Sequence, residues 1–186
     1  GASDVFRYQV IPYQGSLVLG PLLALPGHAL FGDHLVAWFG LAVLYCWLLA
    51  YGAATVLCRC GFSAGQWIAP LMFAGMPFFL KDGLLAMIGG HAVGIVYGVL
   101  ALAFAVHGER SGRARWWPLV AGLVWALGCW YVRTTYIVLP ALLLAVAPLG
   151  RGAWLRLGLG GLLLPCLLLA NAQILADQVP RFEGDV

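Results

Sequence analysis

Ten basic and seven acidic residues cannot coat a 186-residue globule that has to live in water. Charged side chains make up 9% of the chain, against roughly 25% in an ordinary soluble domain. Hydrophobic residues make up 63%. A bilayer removes the need for a charged surface, and within it helices satisfy their own backbone polar groups. The chain therefore reads as all-α: a polytopic integral membrane helical bundle of about six transmembrane helices, with an N-terminal interfacial or juxtamembrane helix before them.

Six apolar stretches are candidate spans: 35–57, 67–80, 83–106, 118–132, 137–149 and 157–175. Several fall short of the ~20 residues that cross a bilayer and draw on their flanks. Pro70 and Pro77, Pro140 and Pro165 interrupt the second, fifth and sixth. Membrane helices tolerate proline because neighbouring groups take up the freed carbonyl. Residues 17–31 are apolar but broken by Pro21, Pro26 and Gly27, which predicts a helix lying at the interface or a re-entrant piece. The organisation is thus an external loop and juxtamembrane segment over 1–34, the transmembrane bundle over 35–175 and an external polar tail over 176–186.

Basic residues set the orientation, since loops rich in Lys and Arg stay on the cytoplasmic side. Arg59, then Arg110, Arg113 and Arg115, then Arg151 and Arg156 fall in alternate loops on one side. Arg7, Lys81, Arg133 and Arg181 fall on the other, with Asp4, Asp33, Asp82, Asp177, Glu183 and Asp185. This sorting puts the N-terminal segment outside and predicts one earlier helix upstream of Gly1. On the third span Gly90, Gly94 and Gly98 recur every four residues, so one face admits a close neighbour.

Several function classes drop out. No basic run is interleaved with aromatics in a polar setting, which excludes nucleic-acid binding. No internal repeat points to an inverted-repeat transporter. Cys46, Cys129 and Cys166 sit in apolar runs as small core residues, and Cys58 and Cys60 flank Arg59 without the further ligands a metal needs.

The candidate site residues gather at the outer ends of the spans. Asp4 is the acid of the longest external segment, with Arg7, Tyr8 and Tyr13 after it, and can act as a general base at an outer surface. Lys81 and Asp82 are pinned in a short turn between two spans. Arg133 lies inside an aromatic and hydroxyl belt of Trp130, Tyr131, Thr134, Thr135 and Tyr136. Its planar fork can hold a lipid phosphate through two hydrogen bonds, or the side chain can simply snorkel to the headgroups. His91 lies about two turns into the third span, either as a contact to substrate or as a buried neutral histidine.

The order of these features resembles a known family. Pro12-Tyr13-Gln14-Gly15-Ser16-Leu17 leads into a broken apolar stretch, then Leu30-Phe31-Gly32-Asp33 and a long span. Gly89-Gly90-His91-Ala92 opens a span ending in Gly108-Glu109-Arg110, and a Gly/Trp-rich helix ends in Tyr131-Val132-Arg133. This resembles the membrane region of the GT-C glycosyltransferases, nearest to the protein mannosyltransferase and aminoarabinose transferase branch, over roughly residues 4–150. The paired Asp-Glu of that family's first loop is absent here.

What the resemblance implies is a transferase that moves a sugar from a polyprenyl-phosphate donor to an acceptor at the external face of the plasma (inner) membrane. Asp4 maps to the catalytic acid of the first external loop. Arg7, Tyr13, Lys81, Asp82, His91 and Arg133 would bind substrate. The partners would be the lipid-linked donor and membrane lipids. A divalent metal fits the class, although no ligand cluster in the sequence requires one. The rival readings are a transporter or permease subunit, which needs ionisable residues in mid-span, and a non-catalytic membrane scaffold.

Overall fold

The computed structural model describes residues 16–32, 34–64, 67, 71, 90–107, 116–170 and 173. Among these residues every regular element is helical. They are α1 (Ser16–Phe31), α2 (His34–Arg59), α3 (Gly90–His107), α4 (Trp117–Tyr131), a 3-10 segment (Arg133–Val138), α5 (Leu139–Val146), a 3-10 turn (Ala147–Leu149) and α6 (Arg151–Gly161). After a turn at Leu162 the last helix resumes over 163–170.

Local sequence sets these boundaries. α2 stops where Gly61 takes φ +96°, with Phe62 N–H bonding Leu57 O at 3.1 Å and Gly61 N–H bonding Cys58 O at 3.3 Å. That pair of bonds is a Schellman cap, which needs a residue at ease in the left-handed region. Pro140 has no N–H to give the Tyr136 carbonyl, so Leu139 N–H takes it instead, one residue early. Together with the β-branched Val132, Thr134, Thr135, Ile137 and Val138, this holds 133–138 in the tighter 3-10 form. Pro165 acts in the same way on α6. Its ring crowds the carbonyl four residues back, and the helix breaks at Gly161 and Leu162.

Contacts between the helices fix the course of the chain. α2 and α3 run parallel: Tyr45 meets Tyr97, Gly52 faces Val99 and Leu100, and Arg59 meets His107. α4 returns antiparallel, with Trp117 stacked on Phe104 and Tyr131 against Tyr97. The segment Arg133–Leu149 turns back along α3, and α6 runs parallel to α4. Arg59, His107 and Arg151 therefore come to one end of the bundle and Arg133 to the other, the same division the basic residues predict.

Small residues make the contacts between helices. A Cβ on Gly27 of α1 would lie 3.2 Å from the Ala37 Cβ on α2, and one on Gly52 would lie 3.0 Å from Val99 on α3. A Cβ on Gly122 of α4 would collide with the Leu157 carbonyl of α6, and one on Gly160 with the Leu119 carbonyl. Backbone thus meets backbone at that crossing. On the predicted glycine face of α3, Gly94 and Gly98 receive side chains instead, those of Val132, Thr135 and Val138.

Large apolar side chains lie on the outside instead. On α2, Val36, Phe39, Val43, Trp47 and Tyr51 are exposed at helical spacing, while Ala42, Tyr45, Cys46, Leu49 and Ala50 are buried. Leu144, Leu155, Leu159 and Leu169 are exposed on the C-terminal helices. A soluble monomer rarely leaves so large an apolar surface uncovered.

Several boundaries differ from the sequence reading. Two described helices are long and apolar enough to cross a bilayer, Phe39–Arg59 and Arg151–Ala170, and the other apolar helices are shorter. In the second of these, 22% of the most apolar window is buried, whereas a core helix of a soluble protein would be mostly buried. Residues 17–31 belong to one unbroken helix folded back on α2, so Pro21 and Pro26 do not interrupt it. The last helix starts six residues earlier than predicted. Gly150, at φ +83° and ψ 178°, reverses the chain in a single residue, and Arg151 and Arg156 are helical rather than in a loop. Cys46 and Cys129 are buried as expected; Cys166 is exposed, pointing away from the contact that Leu164 makes. The second predicted span is described only at Trp67 and Leu71.

Candidate functional site

At the Arg133 end, α4 stops at Tyr131 and Val132 takes an extended conformation, φ −154° and ψ 135°. This extended residue swings the chain off the helix axis and lays Arg133–Val138 across the start of α3. Thr135 points inward and is 1% exposed, and its hydroxyl donates to the Gly94 carbonyl at 3.3 Å. Arg133, Thr134 and Tyr136 are exposed. A guanidinium fork, a hydroxyl and a phenol thus share one short turn, and all three can donate to phosphate oxygens.

Tyr136 rests edge-on against Trp125 of α4, with ring centroids 5.8 Å apart and planes at 80°. Partial burial raises its hydroxyl above the ordinary phenol range; Cys129 adds to the rise and the Arg133 guanidinium opposes it. The phenol therefore stays protonated, and a donor, at neutral pH.

Trp125 also lines a cavity of about 290 Å³ between α4, α5 and α6, together with Leu139, Leu142, Leu143, Trp154 and Leu157. No charged side chain lines it. Gly158 borders the same cavity and has open space where a Cβ would be. The space suits an aliphatic chain and not a headgroup. Polar turn and apolar cavity meet at the Trp125–Tyr136 pair.

Of the predicted site residues, the structure brings two to this end. Arg133 opens the 3-10 turn, and His91 lies in the first turn of α3, three residues before Gly94. Asp4, Arg7, Tyr13, Lys81 and Asp82 lie outside the described residues. Among the described residues, no three His, Cys, Asp or Glu side chains gather as a metal site would need.

Sequence reasoning missed two polar pairs. Tyr45 and Tyr97 share a hydrogen bond of 3.2 Å between α2 and α3. At the opposite end, Arg59 Nη2 lies 3.1 Å from His107 Nδ1, and the His107 ring meets Trp117 edge-on at 4.9 Å. A guanidinium only donates, so Nδ1 must be the accepting nitrogen and the proton sits on Nε2. The available signal was that both residues close a span on the side rich in arginine.

Compared with known proteins, the chain matches no family model, no curated protein and no solved structure.

Proposed function

We propose that this chain is a multi-pass inner-membrane protein that transfers a sugar from a polyprenyl-phosphate carrier to an acceptor at the external face. One observation carries the reading: a phosphate-suited turn and an uncharged cavity of about 290 Å³ meet at the Trp125–Tyr136 pair. An amphipathic donor needs both in that order, a charged head at the bundle end and a hydrocarbon tail between helices.

The membrane part of the proposal is supported by exposed Leu, Phe and Trp outside and by Gly and Ala at the crossings. Association in lipid has no hydrophobic drive and relies on close backbone approach. The parallel course of α2 and α3 is what one intervening crossing, expected over 67–80, requires. A translocation path is less well supported. Among the described residues, no Asp, Glu, Lys or Arg interrupts α3, α4 or the part of α2 before Arg59.

In this mechanism Arg133, with Thr134 and Tyr136, holds the donor phosphate and offsets the charge that grows on it as the sugar leaves. Electrostatic stabilisation of that kind is usually the largest single contribution. Asp4 takes the proton from the acceptor hydroxyl as its oxygen attacks the anomeric carbon.

Two measurements test the proposal. With a polyprenyl-phosphate sugar as donor, Asp4→Asn should lower turnover by about 10²-fold or more, the range of a lost general base; unchanged turnover removes Asp4 from its role. For topology, cysteines introduced by Arg113→Cys and Lys81→Cys should react with a membrane-impermeant label from opposite sides of the bilayer. Labelling from one side would end the six-span arrangement.

A further inference from the structure

Apart from aromatic and cysteine side chains, Thr135 is the only buried polar side chain among the described residues. It is 1% exposed in a slot with glycine walls. A Cβ on Gly94 would collide with Val132 and come within 2.9 Å of the Thr135 hydroxyl; one on Gly128 would lie 2.8 Å from the Thr135 methyl. A Cβ on Gly98 would lie 2.6 Å from Val138. Glycines on α3 and α4 therefore hold both ends of the 3-10 turn.

Valine has nearly the shape of threonine and would fill this slot without a hydroxyl to satisfy. What threonine adds is one directional contact, its hydrogen bond to Gly94 O at 3.3 Å. In a 3-10 turn neighbouring residues lie about 120° apart, so fixing one side chain fixes the outward direction of the next. With Thr135 turned in, Arg133, Thr134 and Tyr136 are turned out. The bond also ties the turn to the first turns of α3, where His91 sits.

We infer that Thr135 is a positioning residue: its hydrogen bond to α3 aims the Arg133–Tyr136 turn at the donor phosphate. It touches no substrate itself and acts through Arg133. The inference rests on the proposed role of Arg133.

The test is binding of geranylgeranyl phosphate and of the uncharged geranylgeraniol to the full chain in detergent micelles. Thr135→Val should weaken the phosphate about tenfold, the worth of one neutral hydrogen bond, and leave the alcohol unchanged. Thr135→Ser, which restores the hydroxyl, should return phosphate affinity to within about twofold. A purely structural Thr135 would move both ligands together. Wild-type phosphate affinity in Thr135→Val, or a parallel loss of both ligands, overturns the inference. If Arg133→Ala weakens the phosphate while Thr135→Val does not, only the positioning role fails. If the wild-type protein does not prefer the phosphate over the alcohol, the phosphate site fails and the positioning role fails with it.

Discussion

Replacing Gly122 with alanine is expected to destabilise the bundle more than any other single-methyl change on α4. The added Cβ would collide with the Leu157 carbonyl and stand 3.0 Å from the Gly161 nitrogen and 3.1 Å from the Gly160 Cα. All three are backbone atoms, so no side chain can rotate away and the two helices must separate. Overpacking of this kind costs roughly 1–3 kcal/mol, and a rigid backbone contact puts Gly122 at the upper end. At ~2–4 °C per kcal/mol for a chain of this size, the thermal midpoint in detergent should fall by about 10 °C.

Gly160→Ala should behave the same way, because its Cβ would collide with the Leu119 carbonyl from the other side of the crossing. Gly158→Ala is the control. It sits on the same helix, two residues away, and nothing lies within 4 Å of its Cβ. Alanine there should be neutral or stabilising by up to ~1 kcal/mol, from helix propensity alone. Thermal unfolding of the three variants separates the cases. Equal midpoints for Gly122→Ala and Gly158→Ala would show that the α4–α6 contact is not the tight crossing described above.

The glycines also show what could be read from the sequence. The four-residue repeat on α3 lies within one predicted span, so its face could be assigned by periodicity. Gly122 and Gly160 could not be paired that way, because a crossing between distant helices leaves no periodic trace. Among the described residues, charge sorting separated Arg59 and Arg151 from Arg133 as the structure does, since the cost of burying charge acts on each residue separately. It did not reveal that Arg59 and His107 meet, because that depends on α2 and α3 running parallel. In the Arg133 belt the residue types were legible: arginine, threonines and aromatics beside a span end. Which of them turns inward was not. That depends on the 3-10 form of 133–138, which Pro140 and the β-branched residues around it hold together.

Arg133→Ala should lower function strongly and leave folding almost unchanged. The side chain is exposed, and an exposed charge adds little to stability. Its hydrogen bonds to a phosphate would be charge-assisted, each worth ~1.5–3 kcal/mol. Losing about 2 kcal/mol corresponds to a fall of about 30-fold in kcat/KM for a polyprenyl-phosphate sugar. Arg133→Lys keeps the charge but loses the two-pronged geometry, so it should fall between the two, nearer alanine if the fork matters more than the charge. Thermal midpoints of both variants should match the wild type. Activity falling in step with the midpoint would make Arg133 a structural residue. An alanine variant with undiminished transfer would move the phosphate contact away from this turn, and the Trp125–Tyr136 junction would lose its reason to join a polar turn to an apolar cavity.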